Sequence, residues 1–238
     1  MPMSPESPVS LPMADVLARA ASRPHALAQL PADRCAEVLG LSGVTISAVT
    51  GDSGIELIWY SPSDALGADL EDLQYTLGEG PTMDCARGDR AVGEPDLDRT
   101  PGTRWPVFLP DALRAGARAF FAFALGIGAI RLGVFTGYRT SPGPLTTQQY
   151  RDALAFSDST TFLLLGGGRR DPLTDLATLH RAEVHQATGM LAVRLEVSLD
   201  RALLEIRTRA FSSGRPILEV ARDIIARRNG TGAPDGDG

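Results

Sequence analysis

The chain has no lysine, and all 23 of its basic side chains are arginine. The glycine-rich stretch Gly78-Glu79-Gly80-Pro81 therefore cannot run on into the Lys-Ser/Thr step of a phosphate-cradling P-loop, and it lacks the full spacing of a dinucleotide fingerprint. It predicts a structural turn. Cysteine is nearly absent. Cys35 and Cys85 are the only two, share no metal-ligand spacing, and read as reduced cytoplasmic thiols rather than as a disulfide framework. Cys85, near a short helix start, is assigned as a buried, inert thiol. His25, His180 and His185 add no metal set, because the last two are nearly half a helical turn out of facing register. No apolar run reaches about 18 residues, and no early segment joins basic residues to an apolar stretch and a cleavage site. The protein is placed in the cytoplasm, with no membrane partner. Gly-x-Ser-x-Gly is missing, and Glu79, Asp84, Asp96 and Asp98 read as a solvated loop face rather than a catalytic pair. No catalytic residue, metal or cofactor is assigned, and the chain is not expected to be an enzyme.

What is present is an uneven charge. The net charge is −6, yet residues 169–228 hold 11 arginines against 8 acidic residues, while residues 1–168 hold 12 against 19. An acidic chain does not bind polyanions indiscriminately, but a locally positive module can still engage phosphates. With arginine the sole basic residue type, its placement says more than its number.

Residues 1–12, rich in Pro and Ser, read as a flexible leader, and residues 229–238, rich in Gly, Asp and Pro, as a disordered tail. Between 13 and 39 the apolar residues Val16, Leu17, Ala20, Leu27 and Leu30 keep helical spacing, with breaks near Pro24 and Pro31, which predicts two short helices. Residues 44–50 and 55–60 are β-rich around the polar loop 51–54 and predict a hairpin. A helix is expected over 64–73, a short one from Pro81 through Cys85, and another over 109–117. Residues 120–125 and 130–138, joined through 126–129, predict a second hairpin of central, buried strands. Trp59, Phe121, Phe123 and Phe135 are assigned to the core. A long helix over 148–165 ends at Gly166-Gly167-Gly168, and residues 166–172 read as a glycine hinge. The fold class is α+β: a domain over 13–165 with an antiparallel sheet and flanking helices, then a helical module over 173–228.

In that module Leu173, Ala177, His180, Val184, Ala187 and Leu191 step alternately by four and three, keeping one stripe on a helix face. Leu173, Ala177, His180 and Val184 are read as a dimer seam. Ala187 and Gly189 are read as close-packing positions, with Met190 and Leu191 in the core. Ser198 is an N-cap candidate, Leu199, Leu203, Ile206 and Ala210 give the second helix one apolar face, and Gly214 ends it. Pro216 opens a third helix carrying Ile217, Val220, Ala221 and Ile224.

Two resemblances follow. The run Gln186-Ala187-Thr188-Gly189-Met190-Leu191, the Val197-Ser198 pair, Asp200-Arg201-Ala202 and Glu219-Val220-Ala221 resemble an ANTAR domain. That family binds nascent RNA and acts on transcription termination. Many members carry a lysine where Thr188 stands. Upstream, Leu77-Gly78-Glu79-Gly80-Pro81-Thr82-Met83-Asp84, then Pro95-Asp96-Leu97 and the late strand Gly133-Val134-Phe135-Thr136-Gly137-Tyr138 resemble a GAF domain over roughly residues 30–165. The resemblance implies a central antiparallel sheet with helices on one side and a ligand-sized pocket on the other, receiving a small-molecule or protein signal. Thr82 sits where many relatives carry a cysteine.

Gln186, Thr188, Arg194, Arg207 and Arg215 are the candidate RNA contacts. Arginine offers a planar fork of donors that matches phosphates and base edges and stacks on unpaired bases, while Gln and Thr add neutral hydrogen bonds. The expected function is a homodimeric RNA-binding antitermination regulator that grips a structured leader RNA. Two alternatives remain open: a dimerisation or protein-interaction module without RNA binding, and a DNA-binding regulator.

Overall fold

The computed structural model describes residues 9–21, 27, 30–50, 54–88, 90–166 and 180–229. The loop residues 51–53, His25, hinge residues 167–172, the seam positions Leu173 and Ala177, and the tail from 230 onward lie outside them. The chain divides into two units, one ending at Ala177 and the other beginning at Thr178.

In the first unit the order is α1 (Leu11–Ala21), α2 (Ala32–Leu39), β1 (Gly43–Thr50), β2 (Gly54–Tyr60), α3 (Ala65–Leu77), α4 (Pro81–Arg87), β3 (Val92–Glu94), α5 (Phe108–Ala115), β4 (Ala119–Ile127), β5 (Ile130–Arg139) and α6 (Thr147–Gly166). Helix α1 starts inside the expected leader. The Ser10 hydroxyl accepts from the Met13 N–H at 3.3 Å, and Pro12 sits in the first turn, where a missing N–H costs nothing.

The strands form one sheet in the order β2-β1-β5-β4-β3, with every neighbouring pair antiparallel. Both expected hairpins are present. The second closes more tightly than expected, since Ile127 pairs with Ile130 and leaves only Gly128-Ala129 as the turn. The edge strand β3 was not expected.

Alternation along the strands gives the sheet two faces. On one, Val44, Ile46, Phe121, Phe123 and Phe135 pack with Met13 and Val16 of α1, Leu39 of α2 and Phe156 of α6. Trp59 joins this cluster, and its indole N–H donates to the Leu30 carbonyl at 3.2 Å. All four aromatics assigned to the core lie there. On the other face Phe120 and Tyr138 pack with Leu70 of α3, Trp105, and Phe108 of α5. Cys85 of α4 packs with Ala122 and Val134. Helices thus cover both faces, where the GAF resemblance implied one helical side and one pocket side.

The second face also buries a polar cluster beneath α3 and α4. The Glu71 carboxyl group accepts from the hydroxyls of Thr45 (3.1 Å), Ser47 (3.1 Å) and Thr82 (2.9 Å) and from the Gln74 amide (3.4 Å). Gln74 in turn donates to the Thr82 hydroxyl at 2.8 Å and accepts from the Thr82 N–H at 2.8 Å. Thr82 and Thr136 share a hydrogen bond of 3.1 Å. All six side chains are buried, and burial without partners would cost each polar group about 1–3 kcal/mol.

The Gly78-Glu79-Gly80-Pro81 turn joins three helix ends. Gly78 caps α3 in the left-handed region at φ 67°, where a Cβ would be strained. Pro81 opens α4. The Glu79 carboxylate accepts from the N–H groups of Val107 (3.1 Å) and Phe108 (3.2 Å) at the start of α5. At the far end of the sheet, Arg139 donates to the carbonyls of Gly40 (2.7 Å), Gly143 (3.1 Å) and Pro144 (3.0 Å) and to Gln149 Oε1 (3.1 Å).

In the second unit three helices follow: α7 (Ala182–Leu195), α8 (Leu199–Ser213) and α9 (Ile217–Asn229).

Replacing Glu71 by alanine strands several buried donors at once, so the first unit is expected to lose at least about 3 kcal/mol of stability. Trp59 and Trp105, the only two tryptophans, both lie in this unit, so denaturant unfolding followed by tryptophan fluorescence reads the loss directly. An unchanged midpoint would mean that these donors find other acceptors.

Candidate nucleic-acid interface

The three C-terminal helices are set by local signals. At the start of α8 the Ser198 hydroxyl accepts from the Arg201 N–H at 3.3 Å, with Asp200 in the positive first turn. Gly214 ends α8 at φ 63°, and its N–H reaches back to the Ala210 and Phe211 carbonyls. The Pro216 carbonyl then accepts from Glu219 and Val220 as α9 begins. Helix α7 ends less comfortably: Glu196 takes φ 53°, the one non-glycine residue at positive φ among the described residues. An L side chain there costs about 1–2 kcal/mol.

Val184, Ala187 and Leu191 of α7, Ala202, Ile206 and Ala210 of α8, and Ile217, Ala221 and Ile224 of α9 are all buried. Val184, read as part of a dimer seam, is fully buried by its own chain. The correction has a simple cause, because a stripe repeating every three and four residues fits a neighbouring helix of the same chain as well as a second copy. His180 is half-buried. On α8 the buried face runs through Ala202 rather than Leu199, which is 62% exposed.

The candidate RNA contacts fall into three kinds. Gln186 and Arg194 are exposed, and Arg194 forms no ion pair among the described residues. Arg215 is exposed but holds Asp223 at 2.7 Å and Glu219 at 3.3 Å. The Arg215 hydrogen bond and charge hold the Asp223 carboxyl below its usual range. Arg207 is half-buried. Thr188 is 8% exposed, and its hydroxyl donates to the Val184 carbonyl at 2.7 Å. It therefore belongs to the interior of the bundle and not to its surface. Gly189, read as a close-packing position, does not pack closely, since a Cβ placed there would meet no neighbouring atom within 4 Å. Met190, assigned to the core, is partly exposed. The reading of the sequence passed over Arg227 and the exposed apolar residues Val193, Leu204 and Phe211. The one visible signal of the last three is that they are apolar residues lying off the buried stripes.

Residues 175–225 match the family model described as ANTAR domain. The first unit has the fold of solved GAF domains. One is the GAF domain of an Acinetobacter phosphoenolpyruvate-protein phosphotransferase, at TM-score 0.50 and 9% identity, covering 65% of this chain and 91% of that one. Another is the GAF domain of a Coxiella burnetii phosphoenolpyruvate-protein phosphotransferase, at TM-score 0.52 and 12% identity with the same coverage. At such identities the likeness is one of fold alone. No curated protein matches the chain. The protein thus combines a unit of GAF fold with a C-terminal segment that matches the ANTAR family model.

Within the GAF-fold unit each carboxylate weighed as a reactive group has a structural partner. Besides Glu79, Asp84 accepts from the Trp105 indole at 3.0 Å. Asp96 pairs with Arg99 at 3.3 Å and Asp98 with Arg118 at 3.7 Å. Among the described residues no group of three or more His, Cys, Asp or Glu could hold a metal ion, and no helix is long and apolar enough to cross a membrane. Burial pushes the Cys35 thiol up to about 12, partly offset by a backbone hydrogen bond. Burial, with the Asp84 charge adding to it, pushes Cys85 up to about 12 as well.

Both thiols are therefore expected to resist a disulfide reagent at about pH 8 in the folded protein and to react fully once it is unfolded. Folding raises both values above the ordinary 9.0, so the stability linked to them is intact below about pH 9 and is lost as the pH climbs toward about 12. Rapid labelling of Cys85 in native protein would contradict this.

Proposed function

We propose that the protein is an RNA-binding regulator of transcription termination, acting by binding and not by catalysis. The ANTAR domain grips a structured leader RNA, and the GAF-fold unit receives a small-molecule or protein signal. The observation that carries this reading is the ANTAR match over three helices on which Arg194, Arg201, Arg215, Arg222 and Arg227 are exposed, in the stretch of the chain with a positive charge balance. Arg194 leads the contacts, with Gln186 beside the same helix face. Arg215 is available at the price of exchanging Asp223 and Glu219 for phosphate. Thr188 takes no part.

Binding would act by competition. A protein-stabilised hairpin that shares sequence with the terminator stem excludes that stem, and RNA polymerase reads through. The local charge excess is small, so affinity has to come from placement and from two domains acting together in a dimer. The dimer contact then falls outside Val184, with His180 the remaining described residue of the seam. The reading places the protein in the cytoplasm, where nascent transcripts are.

A salt-dependent gel shift with hairpin RNA, absent with duplex DNA of equal charge, is the expected result, together with crosslinking and sequencing of bound transcripts. Arg194→Ala should weaken binding about tenfold and flatten the salt dependence by roughly one counterion, with Arg215→Ala smaller. Thr188→Val should leave affinity within about twofold. Equal binding of duplex DNA, or none of either, would overturn the assignment.

A further inference from the structure

Between α7 and α9 the ANTAR domain has an open hollow of about 670 Å³. Leu191 and Ile224, both buried, form its floor, and Gly189 and Met190 its wall. Val193 stands at its edge, 82% exposed, and the exposed Arg194 and Arg227, one from each helix, complete the lining. No acidic residue lines it. Asp223, one turn before Arg227 on the same helix, is held by Arg215 at 2.7 Å and also feels the charge of Arg227.

Two features of this hollow are unfavourable for folding alone. A glycine in a helix interior is about 0.5–1 kcal/mol worse than alanine, and Gly189 has open space where a methyl group would sit. Val193 leaves an apolar side chain in water beside two cations. Both make sense if an apolar, flat and anionic group fills the space.

We propose that the hollow receives one unpaired base of the RNA, with the phosphates on either side of that base held by Arg194 and Arg227. The inference rests on the RNA-binding reading and adds to it where a base is read. A base ring has two apolar faces and a charged backbone attached, which matches an aliphatic floor flanked by guanidinium groups. A second copy of the chain is a poorer occupant, because a symmetric contact here would bring the Arg194 and Arg227 pairs of both copies together without a carboxylate from the lining.

The test uses the full chain and an RNA hairpin selected by binding from a pool with randomised loops, followed by abasic substitution at each loop position. Gly189→Leu puts a side chain into the open space beside Gly189 and improves helix propensity, so its melting temperature should equal or exceed that of the wild type. Its affinity for the hairpin should nevertheless fall about tenfold or more. One abasic position should cost the wild type a similar factor and cost Gly189→Leu less than about twofold, because the base no longer has a site. Undiminished binding by Gly189→Leu, or losses that multiply, overturns the inference while leaving RNA binding intact. A change in sedimentation without a change in affinity assigns the hollow to self-association and also overturns it. Failure of the wild type to select any hairpin removes the RNA reading itself.

Discussion

Helix α7 can lie close to α8 and α9 only because alanine fills much of the space between them. Ala187, Ala192, Ala202, Ala210 and Ala221 are all buried, alongside a few larger residues such as Leu191, Ile206 and Ile224. Arg181 is fully buried, but most of the arginines of the unit stay at or near its surface. The outward display of cations therefore follows from the packing as much as from any selection for a ligand. The packing is also what exposes Val193 and Phe211, which lie on helix faces that the small core does not reach.

The GAF-fold unit answers the same problem of burial differently on its two sheet faces. One is an aromatic and aliphatic core in which Phe135 stacks on Phe123 and meets Phe156 with ring centroids 6.0 and 4.7 Å apart. The other holds a carboxyl group ringed by hydroxyls and an amide. A hydrogen-bonded cluster has stricter geometry than an oily core, since each donor must point at an acceptor. The position of α3 over the sheet is therefore fixed by Glu71 and Gln74, and that of α4 by Thr82.

Much of this was legible in the sequence. The two hairpins announced themselves by β-branched and aromatic runs around short turns, and the second C-terminal helix by its caps, Ser198 and Gly214. The three-residue strand β3 has too few positions to show a period. Other errors share one origin: a pattern says which residues are buried and not against what. Val184 belongs to an intramolecular core for that reason, and Leu199 fell outside it. Thr188 looked like a surface donor because a polar residue in a motif suggests a ligand, yet a threonine can bond its own helix four residues back. Gly189 looked like a contact point because glycine permits close approach, although here it borders empty space. The buried cluster around Glu71 left no sequence signal, since its six members come from four separate elements.

The fork of donors on Arg139 has a bearing on how the chain assembles. It ties Gly40 to a strand that lies 99 residues further along, and it also holds the loop and first turn leading into α6. The bonds to Gly143, Pro144 and Gln149 are local and can form with β5 alone, but the bond to Gly40 has to wait until β1 and β5, the most distant pairing in the sheet, are side by side. A lysine, with a single compact ammonium group, could not span four such acceptors. One guanidinium thus couples the segment that launches the last helix of the GAF-fold unit to the longest-range ladder of its sheet.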